Sequence, residues 1–517
     1  MHRTRAALAP RRPRAPRRAA VALITGLTAA ALMLSACTGS PSPSGSGAAG
    51  AADANAALTV GLVLEPSSLD IRHTSGAALE QVLVDNIYEG LVSRTQDNKI
   101  IDRLAKSHEI SSDGLTYTFV LNDGITFHNG AKLTSADVAA SLQTAKDDKT
   151  VQGHADLADV AAITAKDDKT IVITLTQPSQ NFLFSLTGTA GLVFQKGDTT
   201  DLQAAENGTG PFTLTQWKKG DSLSFARNDK YWGTKAGVKS IVFDYIPDFT
   251  AGVNAAQSGT LDVLTAVDAN LAPQLDKNGT FTLTKGRTTD KGTLAFNNAK
   301  APLNDQRVRE ALRLAIDHKA IIEARGVGTT LYGPIPQLDP GYKDLSSTAP
   351  YDPEKAKALL KEAGQENLSL TLTIPSFYGT TVPQLLTSDF KKVGVTLTVN
   401  SVEFPAWLDS VFTKHDYDLS FVLHVEPRDF GNFANPDYYF GYNNPEVQKL
   451  YTQSQTELDA KKSADLLSQA AEIVAKDAAA DWLYEDQTLT AVRAGVNGFP
   501  KDSINSRLDL RGVTVSK

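Results

Sequence analysis

The amino-acid sequence predicts an α/β protein built from more than one domain. The chain has 517 residues, which exceeds the usual size of a single domain. Its second half contains the strand patterns LSLTLTIP (368–375), VTLTVNSV (395–402) and YDLSFVLHV (417–425), separated by helical patterns or long connections. This alternation favours a sheet with helices on its faces, and such sheets bind ligands at the ends of their strands.

The first half of the folded part reads mainly as strands and turns. LTVGLVL (58–64) predicts a buried strand, and 117–127 predicts a hairpin that turns at Asp123. Thr134 is placed to cap the following helix, and Asp137 completes a capping box with it. These acidic side chains therefore have structural explanations.

The N-terminus carries the pattern of an exported lipoprotein. Residues 1–18 hold seven arginines and no acid, and an uncharged, mostly apolar run follows at 19–34. Cys37 is the only cysteine and comes directly after the residues LSA, which matches a lipobox. We expect a signal peptide at 1–36 that is cut before Cys37, with a lipid on the Cys37 sulfur. The paired arginines leave both general secretion and twin-arginine export open.

Cleavage at this point would leave a strongly acidic protein without a free thiol. Loss of the seven arginines moves the formal net charge from −7 to −14. An acidic surface repels a phosphate backbone, which argues against nucleic-acid binding. Residues 37–57 are rich in Ser, Pro, Gly and Ala, so we expect the lipidated Cys37 and a flexible tether there, with folded structure beginning near residue 58.

The sequence contains no familiar catalytic motif. It lacks a Gly-x-Ser-x-Gly elbow, a His-Glu-x-x-His motif, a P-loop and a dinucleotide fingerprint. Its eight histidines are scattered, so no His and Cys cluster predicts a resident metal. We therefore predict a protein that is not an enzyme and has no cofactor.

The loop after the strand at 417–425 is the strongest candidate for contact with a ligand. His424 and Glu426 are two residues apart at the end of this strand, so their side chains point the same way. Arg428 and Asp429 continue the charged run. Loops at strand ends of α/β domains favour binding roles. The alternative is a solvated loop in which Arg428 pairs with Glu426 or Asp429.

Several segments, taken in order, resemble the extracytoplasmic solute-binding proteins of the peptide/nickel class, which serve ABC importers. These segments are the lipobox, EPSSLD, IYEGLV, the stretch 103–142, GTGPFTLTQW, RNDKYWG, SGTLDVL and the stretch 296–317. The resemblance runs from about residue 58 to the C-terminus. It implies a two-lobed α/β fold like that of periplasmic binding proteins, with an extra subdomain in lobe I and a ligand cleft between the lobes.

The resemblance also implies where the lobes begin and end. The expected parts are lobe I at 58–290 with an inserted subdomain at about 95–200, lobe II at 291–482, and a return to lobe I at 483–517. Hinge strands are expected near 288–296 and 483–492, and the strand pattern read from the residues alone at 292–297 agrees with the first. Contacts from both lobes would stabilise a closed form with ligand inside.

The family's usual clamp for a peptide amine is missing from this sequence. Peptide-binding members place an Asp four residues before a Pro in the lobe II loop. Counting back four residues from Pro436 gives Asn432, whose amide has no charge for an ammonium group.

The clamp for a peptide carboxylate is missing as well. Dipeptide-binding members have an Arg just after the strand that corresponds to 368–375, where this chain has Phe377 and Tyr378. Either Arg428 with a neighbouring acid replaces the clamps from a shifted position, or the ligand is not a zwitterionic short peptide.

We expect ligand contacts from both lobes. The predicted contacts are His424, Glu426, Arg428, Asp429 and Asn432 as polar groups of lobe II, Phe377, Tyr378 and Phe433 as its apolar walls, and Glu65, Ser67 and Tyr88 from lobe I. Tyr88 has the alternative of being a core residue.

The predicted function is capture of an oligopeptide or peptide-like solute and its delivery to a membrane permease with its ATPase subunits. We expect a monomer, lipid-anchored at the extracytoplasmic face of a bacterial cell membrane. One alternative is a nickel chelate, haem or another non-peptide solute in the same fold, contacted by His424 and Glu426. Others are a receptor for a signalling peptide without import, and a secreted hydrolase.

Overall fold

The computed structural model describes residues 51–74, 76–277, 279–502 and 507–516. The predicted signal peptide, the lipidation site Cys37 and the tether before residue 51 lie outside these ranges. Within the described ranges, no helix combines the length and the apolar character needed to cross a bilayer.

The elements are numbered in chain order. The strands are β1 (Ala57–Leu62), β2 (Val92–Arg94), β3 (Ile100–Asp102), β4 (Ala105–Ile110), β5 (Thr116–Leu121), β6 (Val160–Ala165), β7 (Thr170–Leu175), β8 (Phe212–Lys218), β9 (Ser222–Arg227), β10 (Ser240–Tyr245), β11 (Val263–Leu264), β12 (Phe281–Phe296), β13 (Ser369–Pro375), β14 (Thr396–Val402), β15 (Leu419–His424), β16 (Ala480–Arg493), β17 (Val496–Asn497) and β18 (Thr514–Val515). The helices are α1 (Ala77–Leu83), α2 (Ser135–Asp147), α3 (Phe182–Ser185), α4 (Phe249–Ser258), α5 (Gln306–Ala315), α6 (His318–Arg325), α7 (Pro353–Glu362), α8 (Thr381–Lys392), α9 (Phe404–Trp407), α10 (Gly431–Ala434), α11 (Pro445–Thr456) and α12 (Ala460–Lys476).

One large sheet runs through both lobes of the predicted two-lobed α/β fold. Its strand order is β14-β13-β15-β12-β16-β11-β1-β10-β9-β8. The long strands β12 and β16 pair antiparallel and belong to both halves. Strand β11 joins β16 at Ala491 and Val492, whereas β15 joins β12 from Lys291 onward. The lobes therefore meet between these pairings, where the register shifts between Arg287 and Lys291. The lobe boundaries expected at 290 and 482 stay predictions.

The inserted subdomain is a four-stranded antiparallel sheet in the order β4-β5-β7-β6, covered by α2. The predicted capping box is present, since the Thr134 backbone N–H donates to Asp137 Oδ2 at 2.8 Å. The predicted hairpin at 117–127 is wrong, because β5 pairs with β4 and β7 instead. Ile125 and Phe127 lie in a loop, and their side chains are buried in the subdomain core. The alternation of apolar residues at 125–127 therefore marks buried side chains that do not belong to a paired strand.

Lobe II places three parallel strands side by side. Strand β13 pairs in parallel with both β14 and β15. Helices pack around this sheet. Asp305 caps the N-terminus of α5, since its side chain accepts a hydrogen bond from the Arg307 backbone N–H at 2.9 Å. Because the strands are parallel, their carboxyl ends lie at one edge of the sheet, which we call the carboxyl edge of lobe II.

Candidate ligand site between the lobes

The carboxyl edge of lobe II carries a row of exposed aromatic rings. Phe377 follows β13 and is 64% exposed, Phe404 follows β14 and is 43% exposed, and Phe412 lies one helical segment further on. The ring of Phe404 lies 5.9 Å from that of Phe377 and stacks on Trp407 at 5.8 Å. Trp407 itself is buried, and we call the three exposed side chains, Phe377, Phe404 and Phe412, the aromatic shelf. Exposed apolar side chains that lie together mark binding sites more often than apolar side chains scattered singly over a surface.

Sequence reasoning found only part of the shelf. Phe377 was expected to contact ligand, whereas Phe404 and Phe412 were missed, together with the exposed Leu408 that lies between them in the chain. Their spacing of four residues puts them on one face of a helix, a pattern that normally indicates a buried face. The observed exposure of all three, at about two fifths each, is what distinguishes them from core residues.

An unpaired carboxylate lies beside the shelf. Glu426 follows β15 and is exposed, and no hydrogen bond or ion pair joins its carboxylate to another described residue. Asp290, on the hinge strand, is close enough to Glu426 for their charges to interact. Burial raises the pKa of Asp290 to about 7, and the neighbouring Asp486 carboxylate adds to the shift. Tyr378 lies near both acids, and its hydroxyl accepts a hydrogen bond from the Leu423 backbone N–H at 2.9 Å.

The predicted contacts His424 and Asp429 are largely engaged inside the protein. Asp429 Oδ1 forms an ion pair with Lys291 Nζ at 2.7 Å, and His424 Nδ1 lies 3.4 Å from Asp429 Oδ2. The other ring nitrogen of His424 bonds to the Tyr439 hydroxyl at 2.9 Å. Ligand-type atoms of His424, Glu426 and Asp429 all lie within 4.8 Å of one another. The sequence predicted that His424 and Glu426 point the same way, and the structure adds Asp429 to them.

Arg428 joins the two lobes. Its guanidinium Nη1 donates to the Asn181 side-chain oxygen in the subdomain at 2.9 Å, and its Cζ lies 3.8 Å from the centroid of the Phe184 ring. The expected alternative, in which Arg428 pairs with Glu426 or Asp429, is not the arrangement found. Nearby, Asn181 Nδ2 donates to Gln455 Oε1 of α11 at 2.8 Å, so the subdomain and lobe II are in direct contact.

A cavity of about 560 Å³ lies at this contact between the subdomain and lobe II. Its walls are mostly apolar and come from β4, β5 and α3 on one side and from α11, α12 and the stretch 334–340 on the other. We call it the interlobe cavity. Arg428 and Asp429 lie in its wall, so the loop predicted to touch ligand borders both the cavity and the carboxyl edge.

The remaining lobe II candidates have different surroundings. Phe433 is 3% exposed and packs on Phe440 and Trp482, with ring centroids 4.7 and 5.5 Å away. Asn432 is half-buried in α10. Phe433 therefore anchors the loop in the core of lobe II. A direct contact of Phe433 or Asn432 with ligand stays a prediction.

The lobe I candidates are not gathered at one point. Glu65 accepts hydrogen bonds from the Trp217 indole at 3.1 Å and from the Gly220 backbone at 2.9 Å, so it holds the loop after β1 against the β8–β9 turn. Ser67 is exposed in the same loop. Tyr88 is fully buried in the lobe I core, which agrees with the alternative prediction that it is a core residue. Their roles as ligand contacts stay predictions.

Comparisons with known proteins agree on one family. A sequence profile described as bacterial extracellular solute-binding proteins, family 5 Middle, matches residues 99–470. Heme-binding protein A of Haemophilus influenzae is 28% identical over 504 residues, covering 87% of this chain and 91% of that protein. The nickel-binding periplasmic protein of Escherichia coli is 31% identical over 345 residues, covering 60% of this chain and 65% of that protein.

The fold has close counterparts among solved structures. A periplasmic binding protein of Helicobacter pylori, in complex with the peptide STSA, aligns with a TM-score of 0.74 over 90% of this chain and 98% of that one. The sequence identity is 24%, so this likeness shows the two-lobed fold alone.

Proposed function

Because the chain belongs to the bacterial extracellular solute-binding proteins of family 5, which serve ABC importers and are not enzymes, we propose that its solute is an oligopeptide or peptide-like compound bound between the lobes. The solute is then passed to the permease, which recognises the closed form. The peptide seen in the related Helicobacter pylori structure supports this ligand class.

The observation that carries the proposal is the aromatic shelf beside the unpaired Glu426. Apolar side chains of a peptide-like solute pack on the exposed rings of Phe377 and Phe404. The carboxylate of Glu426 takes the solute's amine, which replaces the charge that Asn432 lacks.

Native mass spectrometry of the purified protein tests the proposal by identifying the solute that co-purifies. We expect a peptide-like compound that is returned unchanged and whose removal lowers the melting temperature. Glu426→Gln and Phe377→Ser should each weaken its rebinding. Glu366→Gln, at the opposite edge of the sheet, and Tyr351→Ser, another exposed aromatic of lobe II, are the matched controls. Wild-type affinity in both site variants would place the solute elsewhere.

We also propose that the protein is a lipoprotein anchored through Cys37. The support is the lipobox and the uniqueness of this cysteine. Cys37→Ser should move the protein from the membrane fraction to the medium and remove the lipid mass from its N-terminal peptide. A membrane-bound, unlipidated variant would contradict the anchor.

A metal complex is a second candidate solute, favoured by the cluster of His424, Glu426 and Asp429. Imidazole and carboxylate donors suit divalent transition metals, and the Tyr439 hydroxyl fixes the orientation of the His424 ring. The nickel-binding and heme-binding relatives support this class. Titration with Ni²⁺ in the presence and absence of a chelating acid tests this candidate, because a metal-dependent signal should appear with wild type and be lost in His424→Gln.

A further inference from the structure

The wall of the interlobe cavity holds a largely buried guanidinium, that of Arg428, which interacts with the charge of Asp339 from beyond ion-pair distance. Nε of Arg428 is buried and lacks a hydrogen-bond partner, and among the described residues its guanidinium bonds only to the neutral side chain of Asn181. No described carboxylate forms an ion pair with it. Burying a charge costs free energy unless an opposite charge or several hydrogen bonds compensate it.

The two carboxylates in the cavity wall are already engaged. Asp429 is paired with Lys291, as described above. Asp339 accepts hydrogen bonds through both oxygens, from Asn98 Nδ2 at 3.0 Å and from the Arg428 backbone N–H at 3.2 Å. Asp339 therefore fixes the main chain of Arg428 and leaves the guanidinium unpaired.

The backbone at Arg428 has a left-handed conformation. Its φ is +53°, a left-handed conformation that costs a non-glycine residue about 1–2 kcal/mol. Such conformations persist where surrounding contacts hold them, and they concentrate at functional sites. A second guanidinium, that of Arg94, lies 4.5 Å from the same Phe184 ring, outside the residues that line the cavity.

The rest of the cavity is suited to an apolar body. Tyr117 and Leu183 line it from the subdomain, and Ile335, Tyr451 and Leu467 line it from lobe II. The volume of about 560 Å³ falls in the usual range for small-molecule sites. An apolar chain or ring system therefore fits the walls, and a single anion fits Arg428.

We propose that the interlobe cavity is a compartment for a solute with an apolar body and one carboxylate, and that Arg428 is the residue that selects the carboxylate. The inference rests on the proposed function, since both place the solute between the lobes. It goes further in naming the anionic end and the apolar class of the ligand. A solute held here contacts both lobes and stabilises their closed arrangement.

Calorimetry with decanoate, decylamine and decanol tests the proposal on the full mature chain. We expect decanoate to bind, decylamine not to bind, and decanol to bind at least tenfold more weakly than decanoate. Arg428→Gln should weaken decanoate binding at least tenfold, and Arg428→Lys should keep part of it because the charge is retained.

A cavity-filling variant separates binding from an effect of Arg428 on lobe contact. Ala460 lines the cavity at the exposed start of α12. The variant Ala460→Trp therefore fills part of the cavity and leaves Arg428 and the two cavity carboxylates in the sequence. It should abolish decanoate binding, whereas Gln469→Trp, exposed on the same helix outside the cavity, should not. Unchanged binding in Ala460→Trp, equal binding of decylamine, or no decanoate binding to wild type overturns the inference.

Failure here is distinguishable from failure of the proposed function. The latter is tested with the co-purified solute and with Phe377→Ser and Glu426→Gln at the carboxyl edge. Neither residue lines the cavity. Absence of decanoate binding to a protein that rebinds the co-purified solute would therefore overturn the cavity inference and leave the proposed function standing.

Discussion

The ammonium of Lys291 lies 2.7 Å from the carboxylate of Asp429, and the side chains are only 2% and 6% exposed. The pair ties the hinge strand β12 to the loop after β15. Burial alone would raise the pKa of Asp429, but Lys291 and His424 outweigh burial and hold it below its usual value. Asp429 is therefore charged, and it holds the loop in place before any ligand arrives.

Removal of Lys291 should destabilise the protein strongly. Lys291→Met leaves Asp429 buried without its cation, which typically costs about 3–5 kcal/mol of unfolding free energy. Urea denaturation of the whole protein measures this loss of unfolding free energy. The double variant Lys291→Met/Asp429→Leu should recover most of it, because no unpaired charge remains. Lys414→Met, which breaks the exposed pair with Asp409, is the control and should cost less than about 1 kcal/mol. Equal effects of the two single variants would show that burial does not govern the Lys291 pair.

Glu485 should make the protein less stable as the pH rises toward neutrality. Burial raises the pKa of Glu485 from its usual 4.5 to about 7, and one of its oxygens has no hydrogen-bond partner among the described residues. A raised folded-state pKa means that the folded protein holds this proton more tightly than the unfolded chain. The associated stability is complete below about pH 4.5 and is lost as the pH rises through 7.

The variant Glu485→Gln should remove this pH dependence. At pH 8 it should be more stable than wild type by about 1–3 kcal/mol, and near pH 4 the two should be similar. Thermal melts across this range measure the difference. Glu366→Gln, an exposed acid, should follow the wild-type curve. If the melting temperatures of Glu485→Gln and wild type differ by the same amount at every pH, the titration assigned to Glu485 is wrong.

The sequence predicted local structure well where the signal lies within a few residues. The capping box at Thr134 and the strand patterns at 368–375 and 395–402 are examples, since hydrogen bonding and periodicity are local. The hairpin predicted at 117–127 is wrong because β5 pairs with β4, which precedes it, and with β7, about fifty residues further along. Alternating apolar residues show which side chains are buried, but they do not identify the pairing strand.

The candidate site shows the same limit. The loop at 423–442 was located from the strand end, but the partner of Asp429 is Lys291, 138 residues earlier in the chain. Arg428 bonds to a residue of the inserted subdomain 247 residues away. The first contact depends on the pairing of β12 with β15, and the second depends on the contact between the subdomain and lobe II. No local pattern encodes either of them.

Loss of the aromatic shelf should weaken ligand binding without loss of fold. The double variant Phe377→Ser/Phe404→Ser removes two exposed rings, so the melting temperature of the ligand-free protein should stay close to wild type. Binding of the co-purified solute should fall by tenfold or more, measured by calorimetry. Phe421→Ala provides the contrast, because Phe421 is 1% exposed and its truncation should cost about 3–5 kcal/mol of stability. A shelf variant that loses stability and keeps its affinity would assign these rings to packing.

Asn181 should control how often the lobes are closed. Its side chain accepts from Arg428 Nη1 at 2.9 Å and donates to Gln455 Oε1 at 2.8 Å, so Asn181→Ala removes two hydrogen bonds across the lobes. At about 1 kcal/mol each, their loss should shift the equilibrium from closed to open by roughly ten- to thirtyfold. Small-angle X-ray scattering should then report a larger radius of gyration without solute, and the solute should bind more weakly. Gln177→Ala is the matched control, because that amide bonds to Asp159 inside the subdomain at 3.1 Å. If both variants scatter like wild type while Asn181→Ala binds solute normally, the contact at Asn181 does not hold the lobes together.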